Sequence, residues 1–200
     1  TGPVMAGSLH NAVVANDAAL VETLLRAGAA DDEKNKTGET PLLLAVTTGN
    51  TKIALLLLQS GASVNVQANN KDTPWLLAGA SGRTEMLKMM WPLKPDLAIR
   101  NRYGGNALIP ACERGHVDTV KFLLTTDIDV DHVNNLGWTC LLEAIILGDG
   151  GVDHQTIVKI VLKNGANPNL ADKEGVTALA HARAKGQNEI ASLLEMAGGR

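Results

Sequence analysis

The stretch LGDGGVDHQ, residues 147–155, holds the densest group of chemically capable side chains in the sequence: Asp149, Asp153 and His154 around Gly150-Gly151. Such a group could bind a metal ion or cradle a phosphate. A calcium loop of the EF-hand kind needs about twelve residues ending in a bidentate glutamate. A phosphate loop needs a preceding strand and a Gly-Lys-Ser/Thr. Neither requirement is met. His10, His116, His132, His154 and His181 are spread along the chain, and no Ser–His–Asp or Cys–His arrangement forms from matching positions. The sequence therefore predicts no enzyme, no catalytic residue, no metal and no cofactor. A small-ligand or divalent-ion sensor built on the 149–154 turn stands as the alternative function.

Composition narrows the classes further. The chain has 200 residues, 45% of them apolar, with a formal charge of −3. That is enough apolar material for a substantial core and no basic footprint for nucleic acid. Aromatic residues make up 2%, too few for base-stacking platforms. No apolar run approaches the ~18–20 residues of a membrane span. With no leader visible, and Cys112 and Cys140 read as two small buried thiols rather than a bridge, a cytoplasmic protein is expected. Residues 1–4 read as a tag remnant or a disordered terminus.

The elements that must carry these residues come from internal repetition. Gly38-Glu39-Thr40-Pro41-Leu42-Leu43-Leu44-Ala45, followed by Gly49, sets a frame that returns 33 residues later as Lys71-Asp72-Thr73-Pro74 through Ala78 and Gly82. It returns again from Gly104 through Ala111 and Gly115, from Gly137 through Ala144 and Gly148, and from Gly175 through Ala182 and Gly186. Ser8 through Ala12 and Asn16 fit the same frame at the start. Thr caps a helix and Pro occupies its first position, where its missing N–H costs nothing. The glycine ends that helix, and a second helix follows with three/four apolar spacing, as in Val117, Val120, Leu123 and Leu124. About ten extended polar residues lead to the next copy.

The last interval is 38 residues instead of 33. His154 aligns with His116, so 149–153 is expected to be a five-residue insertion in the turn between the helices of the fifth copy. His154 itself is expected to be a hydrogen-bonded turn residue. In the third copy Trp91-Pro92-Leu93-Lys94-Pro95 replaces the closing Gly-Ala, and two prolines force a rebuilt turn. Trp91 is expected to fill the space that the rebuilt turn leaves.

Thr-Pro-Leu near the start and Gly-Ala after the second helix, in copies of 33 residues, resemble the ankyrin repeat over essentially the whole chain. The phrases PACERGH (110–116) and GWTCLLEAIILGDGG (137–151) are similar to small stand-alone bacterial members of that family. The resemblance implies an all-α ankyrin-repeat solenoid of six helix–turn–helix units joined by β-hairpin-like loops. A single domain, 5–200, would divide as 5–37, 38–70, 71–103, 104–136, 137–174 and 175–200, with the first and last copies as polar caps.

The resemblance also implies a non-enzymatic module that binds a partner protein in a concave groove, working as a monomer. Contact would fall on hairpin residues around the frame glycine and on residues before the glycine that closes the first helix. In copies two and three these are small and polar: Lys36, Thr37, Glu39, Thr47 and Thr48, then Asn69, Asn70, Asp72, Ala80 and Ser81. In copies four and five they are Arg102, Tyr103, Glu113, Arg114, Leu136, Trp138, Ile146 and Leu147. Aromatic and arginine anchors are the usual composition of binding hot spots, so these eight are the candidate partner-binding residues.

Overall fold

The computed structural model describes residues 5–200, so the reading of residues 1–4 lies outside the described residues. Twelve α-helices and one 310 turn, and no strand, occur among the described residues. The chain divides into two compact units, the first ending at Arg102 and the second comprising Tyr103–Arg200.

The first unit contains α1 (Ser8–Val14), α2 (Ala18–Arg26), α3 (Pro41–Thr48), α4 (Thr51–Ser60), α5 (Pro74–Ala80) and α6 (Thr84–Met90). The second contains α7 (Leu108–Glu113), α8 (Val117–Leu123), α9 (Cys140–Ile146), α10 (Val152–Lys163), α11 (Ala178–Ala184) and α12 (Asn188–Met196). Within each unit consecutive helices pair, odd-numbered helices pack on odd-numbered ones, and even on even.

The local causes are visible at each helix start. The hydroxyls of Thr40, Thr73, Thr139 and Thr177 accept from the backbone N–H groups of Leu43, Leu76, Leu142 and Ala180. Each satisfies a donor the helix itself cannot, a contribution of about 1 kcal/mol. Where α7 lacks the threonine, Asn106 Oδ1 accepts from Leu108 and Ile109 instead. The frame alanines Ala45, Ala78, Ala111, Ala144 and Ala182 are completely buried, because only a methyl group lets neighbouring first helices approach. Ile53, Leu57, Val120, Leu123, Ile157, Val161, Ile190 and Leu194 bury the inner stripe of the second helices. Each such side chain contributes about 1.5–3 kcal/mol.

The connecting loops fold back as hairpins without forming strands. Asn35 N donates to Glu39 O at 3.0 Å and Asn134 N donates to Trp138 O at 3.0 Å. Neighbouring loops meet through one backbone bond, Asn69 N to Thr37 O in the first unit and Asn135 N to Tyr103 O in the second. At the rebuilt turn, α6 runs straight into a 310 turn, Trp91–Leu93, closed by Lys94 at φ 55°. The Trp91 ring packs on the buried Trp75 with centroids 5.8 Å apart, which is the space-filling role the sequence implied.

Two sequence expectations are corrected. Cys112 and Cys140 are not separate thiols: they form a disulfide between α7 and α9, with Cα atoms 5.5 Å apart. Stacking brings together two positions 28 residues apart, and the free-thiol argument for a reducing compartment no longer stands. The five inserted residues are also not all turn. Asp149, Gly150 and Gly151 form the turn, whereas Val152 and Asp153 are the first residues of α10, with Gly151 at its N-cap. An acidic residue in a first helical turn suits the positive end of the helix dipole.

Candidate functional site in the second unit

The site is built around the loop at 134–138 and the helix it feeds, α9. Asn134 is its hub. Its buried Oδ1 accepts from the backbone N–H of Leu136 at 3.0 Å and of Trp138 at 3.1 Å, while Nδ2 donates to Glu143 Oε1 at 2.7 Å. The loop therefore has little conformational freedom to lose. The same tie recurs one copy on: Asp172 Oδ1 accepts from Glu174 and Val176, and its Oδ2 pairs with His181 Nε2 at 2.7 Å. His181 and Glu143 occupy the same helix position.

Glu143 is only 5% exposed. Burial chiefly, and then the negative charge of Glu113, push its carboxyl up to about 7; the Asn134 hydrogen bond and Arg114 pull the other way. Neither Asn134 nor Glu143 was singled out from the sequence. The signal was present: the matching helix position holds Leu44, Leu77 and Pro110 in earlier copies, so an acid there is out of place.

Seven of the eight predicted residues belong to this unit; Arg102 is exposed and is the last residue of the other. Tyr103, Leu136 and Leu147 are 52%, 48% and 49% exposed. Trp138, Ile146 and Glu113 are half-buried, and Arg114 is exposed. Tyr103 and the 134–138 loop are brought together by the Asn135–Tyr103 backbone bond. The Cys112–Cys140 bridge lies two residues before Arg114 and two after Trp138, so it ties the two sides of the surface together.

The inserted turn is held by polar bonds. Asp149 Oδ1 accepts from Gly151 N at 2.8 Å and faces His154 Nδ1 at 2.9 Å; His154 Nε2 donates to the Glu113 carbonyl at 2.7 Å. The Gly151 N–H first, and His154 second, hold the Asp149 carboxyl below its usual range. Lys185 Nζ donates to the carbonyls of Ile145, Ile146 and Gly148 at 3.0, 2.6 and 3.3 Å, placing a cation on the negative end of α9. The described residues contain no group of three or more His, Cys, Asp or Glu placed to hold a metal.

Gly148, just before the insertion, and Gly150, within it, are both hemmed in by their neighbours. A Cβ on Gly148 would stand 2.1 Å from the Ala144 carbonyl oxygen, and one on Gly150 would stand 2.8 Å from Gln187 Cγ. Gly115 and Gly186 are left-handed in their copies, but here that conformation has moved to Gly150, at φ 71°. The remaining histidines are not brought together. His10 Nε2 bonds the Glu39 carbonyl and His132 Nε2 bonds the Gly104 carbonyl.

Helix pairs of this kind, with capped first helices and short stacked loops, define a helical-repeat protein whose loops and first helices display side chains. A family model described as ankyrin repeats (3 copies) matches residues 9–101 and 90–172. The chain belongs to the ankyrin-repeat family. It is 52% identical over 114 residues to the putative ankyrin repeat protein YahD of Escherichia coli, covering 56% of this chain and 57% of YahD. The chain thus spans little more than half of that relative. A crystal structure of an ankyrin repeat domain from Acinetobacter baumannii AYE superposes with a TM-score of 0.93 at 48% identity, covering 97% of this chain and 99% of that one. The ankyrin repeat domain of Bcl-3, a member of the IkappaB family, superposes with a TM-score of 0.85 at 29% identity over 96% of this chain and 86% of that one. Ankyrin repeats are generally non-enzymatic protein–protein interaction modules, and no helix among the described residues is long and apolar enough to cross a membrane.

Proposed function

We propose that this chain is a non-enzymatic module that binds a partner protein on its second unit, at Tyr103, Leu136, Trp138 and Leu147, flanked by Ile146, Glu113 and Arg114. One observation carries the reading. Leu136, 48% exposed, and the half-buried Trp138 stand on a loop whose backbone is tied down by Asn134 and, through it, Glu143, and the exposed Tyr103 is joined to that loop by the Asn135–Tyr103 backbone bond. Preorganised anchors lose little entropy on binding, and aromatic anchors contribute most of the energy at typical interfaces.

Affinity capture from a lysate of the source organism, with wild type beside Tyr103→Ala/Trp138→Ala, tests it. Each truncation at a true anchor costs on the order of 2 kcal/mol, so a protein retained by wild type should be lost by the double variant at an unchanged melting temperature. Equal recovery on both would move the binding surface elsewhere.

A further inference from the structure

The bridge between α7 and α9 occupies positions that the fold fills elsewhere without one. Val46, Gly79 and Ile145 match Cys112 in the repeat frame, and Pro74, Ala107 and Ala178 match Cys140; all six are buried. Cys112 and Cys140 are themselves completely buried. A thiol packs as a small apolar group, so two unbridged cysteines would fill the same space as their counterparts. The covalent bond is not needed to close the core. It adds a constraint that chemistry can remove.

Its placement ties that constraint to the docking surface. Cys140 is the first residue of α9, directly after Thr139, and Trp138 stands two residues back. One turn further along α9, Glu143 accepts from Asn134, the hub of the loop. Cys112 lies in the last turn of α7 and is followed by Glu113 and Arg114. The bond, with Cα atoms 5.5 Å apart, therefore fixes the start of the helix that anchors the loop to the end of α7. Both cysteines stand at helix ends, where local opening costs least, and such opening admits a reductant to a buried bond.

Resting on the reading that this surface binds a protein, we infer that the Cys112–Cys140 bond is a reversible redox latch: oxidised, it holds the 134–138 loop in its binding form; reduced, the chain stays folded and that loop loosens. The reductant is a dithiol. One of its thiolates attacks a bridge sulfur, which gives a mixed disulfide and releases the other cysteine; its second thiolate then displaces the bound cysteine and closes a disulfide on the reductant. Two electrons and two protons pass to the protein, which ends with two thiols. A disulfide oxidant reverses the exchange. A loosened loop must be ordered again on binding, and that ordering weakens the affinity.

Hydrogen exchange and melting test this on three samples: the oxidised full chain, the chain in excess dithiothreitol, and Cys112→Ala/Cys140→Ala. Thiol titration establishes the redox state of each. On reduction the folded protein should gain two thiols and keep one cooperative transition at a lower temperature. Exchange at 134–138 should rise about tenfold, part of the loss that closure entropy across the bridge permits, with 35–39 unchanged. A disulfide oxidant should restore the first profile, and the alanine variant should show the reduced profile with or without dithiothreitol. Loss of the cooperative transition on reduction would overturn the latch, as would a bridge that dithiothreitol does not open in the folded protein, or equal exchange at 134–138 in both states.

Lysate capture in both redox states separates the latch from the surface. A protein retained by the oxidised chain alone, and lost in Tyr103→Ala/Trp138→Ala, supports both. Equal retention by the two redox states removes the latch and leaves the surface standing. Retention that survives in Tyr103→Ala/Trp138→Ala removes the surface, and the exchange profiles then decide the latch.

Discussion

The loops at 35–39 and 134–138 are built on one plan and used differently. In the first unit, Asn35 Oδ1 accepts from Thr37 and Glu39, and Nδ2 donates to Glu39 within the same loop. In the second, Asn134 makes the equivalent backbone bonds but sends its amide to Glu143, a buried acid on α9. The first loop closes on itself and shows Thr37 and Glu39. The second is anchored to the helix below and shows Leu136 and Trp138. A hub that holds the backbone leaves neighbouring positions free to carry whatever a partner requires. The second unit adds a covalent bridge beside the loop; the chain's only two cysteines both lie there.

The largest expected effect separates the units by that bridge. Cys112→Ala/Cys140→Ala should cost about 3 kcal/mol from loop-closure entropy across 28 residues. Hydrogen exchange should speed up in α7 and α9 and leave α3 and α5 little changed. Loss confined to the first unit would contradict the assignment.

Next is the hub. Asn134→Ala strips two acceptor bonds and leaves a buried carboxyl without its donor, so a cost of about 2–3 kcal/mol is expected in urea unfolding. Asn35→Ala, in the part-buried loop, should cost about 1 kcal/mol. Equal costs would remove the distinction between the loops.

Glu143 gives the comparison a pH signature. Its folded pKa of about 7 lies above the reference value of 4.5, so the folded state binds the proton more tightly. The associated stability is fully present below pH 4.5 and is lost as pH rises towards about 7. Glu143→Gln abolishes that loss and should stabilise the protein at pH 8 by about 1–2 kcal/mol, below the ~3 kcal/mol ceiling set by 1.36 kcal/mol per pKa unit. Parallel stability–pH curves for variant and wild type would contradict the burial.

The smallest effect concerns backbone conformation in the first unit. Lys71 adopts φ 69° at the frame position where Gly38, Gly104 and Gly137 stand. Lys71→Gly should raise stability by up to about 1 kcal/mol by removing the left-handed strain of a side-chain-bearing residue. A lower melting temperature would show that the lysine side chain stabilises its loop.

What the sequence revealed followed from range. Thr40, Pro41 and the three/four apolar stripes act within one turn of helix, so the helices and their pairing could be read directly. Trp91 was placed correctly because prolines restrict the chain whatever surrounds them. The disulfide was misread because Cys112 and Cys140 meet only once α7 and α9 stack. Val152 and Asp153 look like loop after Gly150-Gly151, yet Asp149 and His154 secure the turn and allow α10 to start early. Asn134 and Glu143 went unnoticed because each looks ordinary alone, and their meaning lies in a bond across nine positions.

The claim that the anchored loop of the second unit is the docking platform has one direct test: hydrogen exchange on the captured complex, compared with the free protein. Slower exchange at 134–138 and 103–104, with 35–39 unchanged, is the predicted result. Protection confined to 35–39, with 134–138 exchanging as in the free protein, would contradict it.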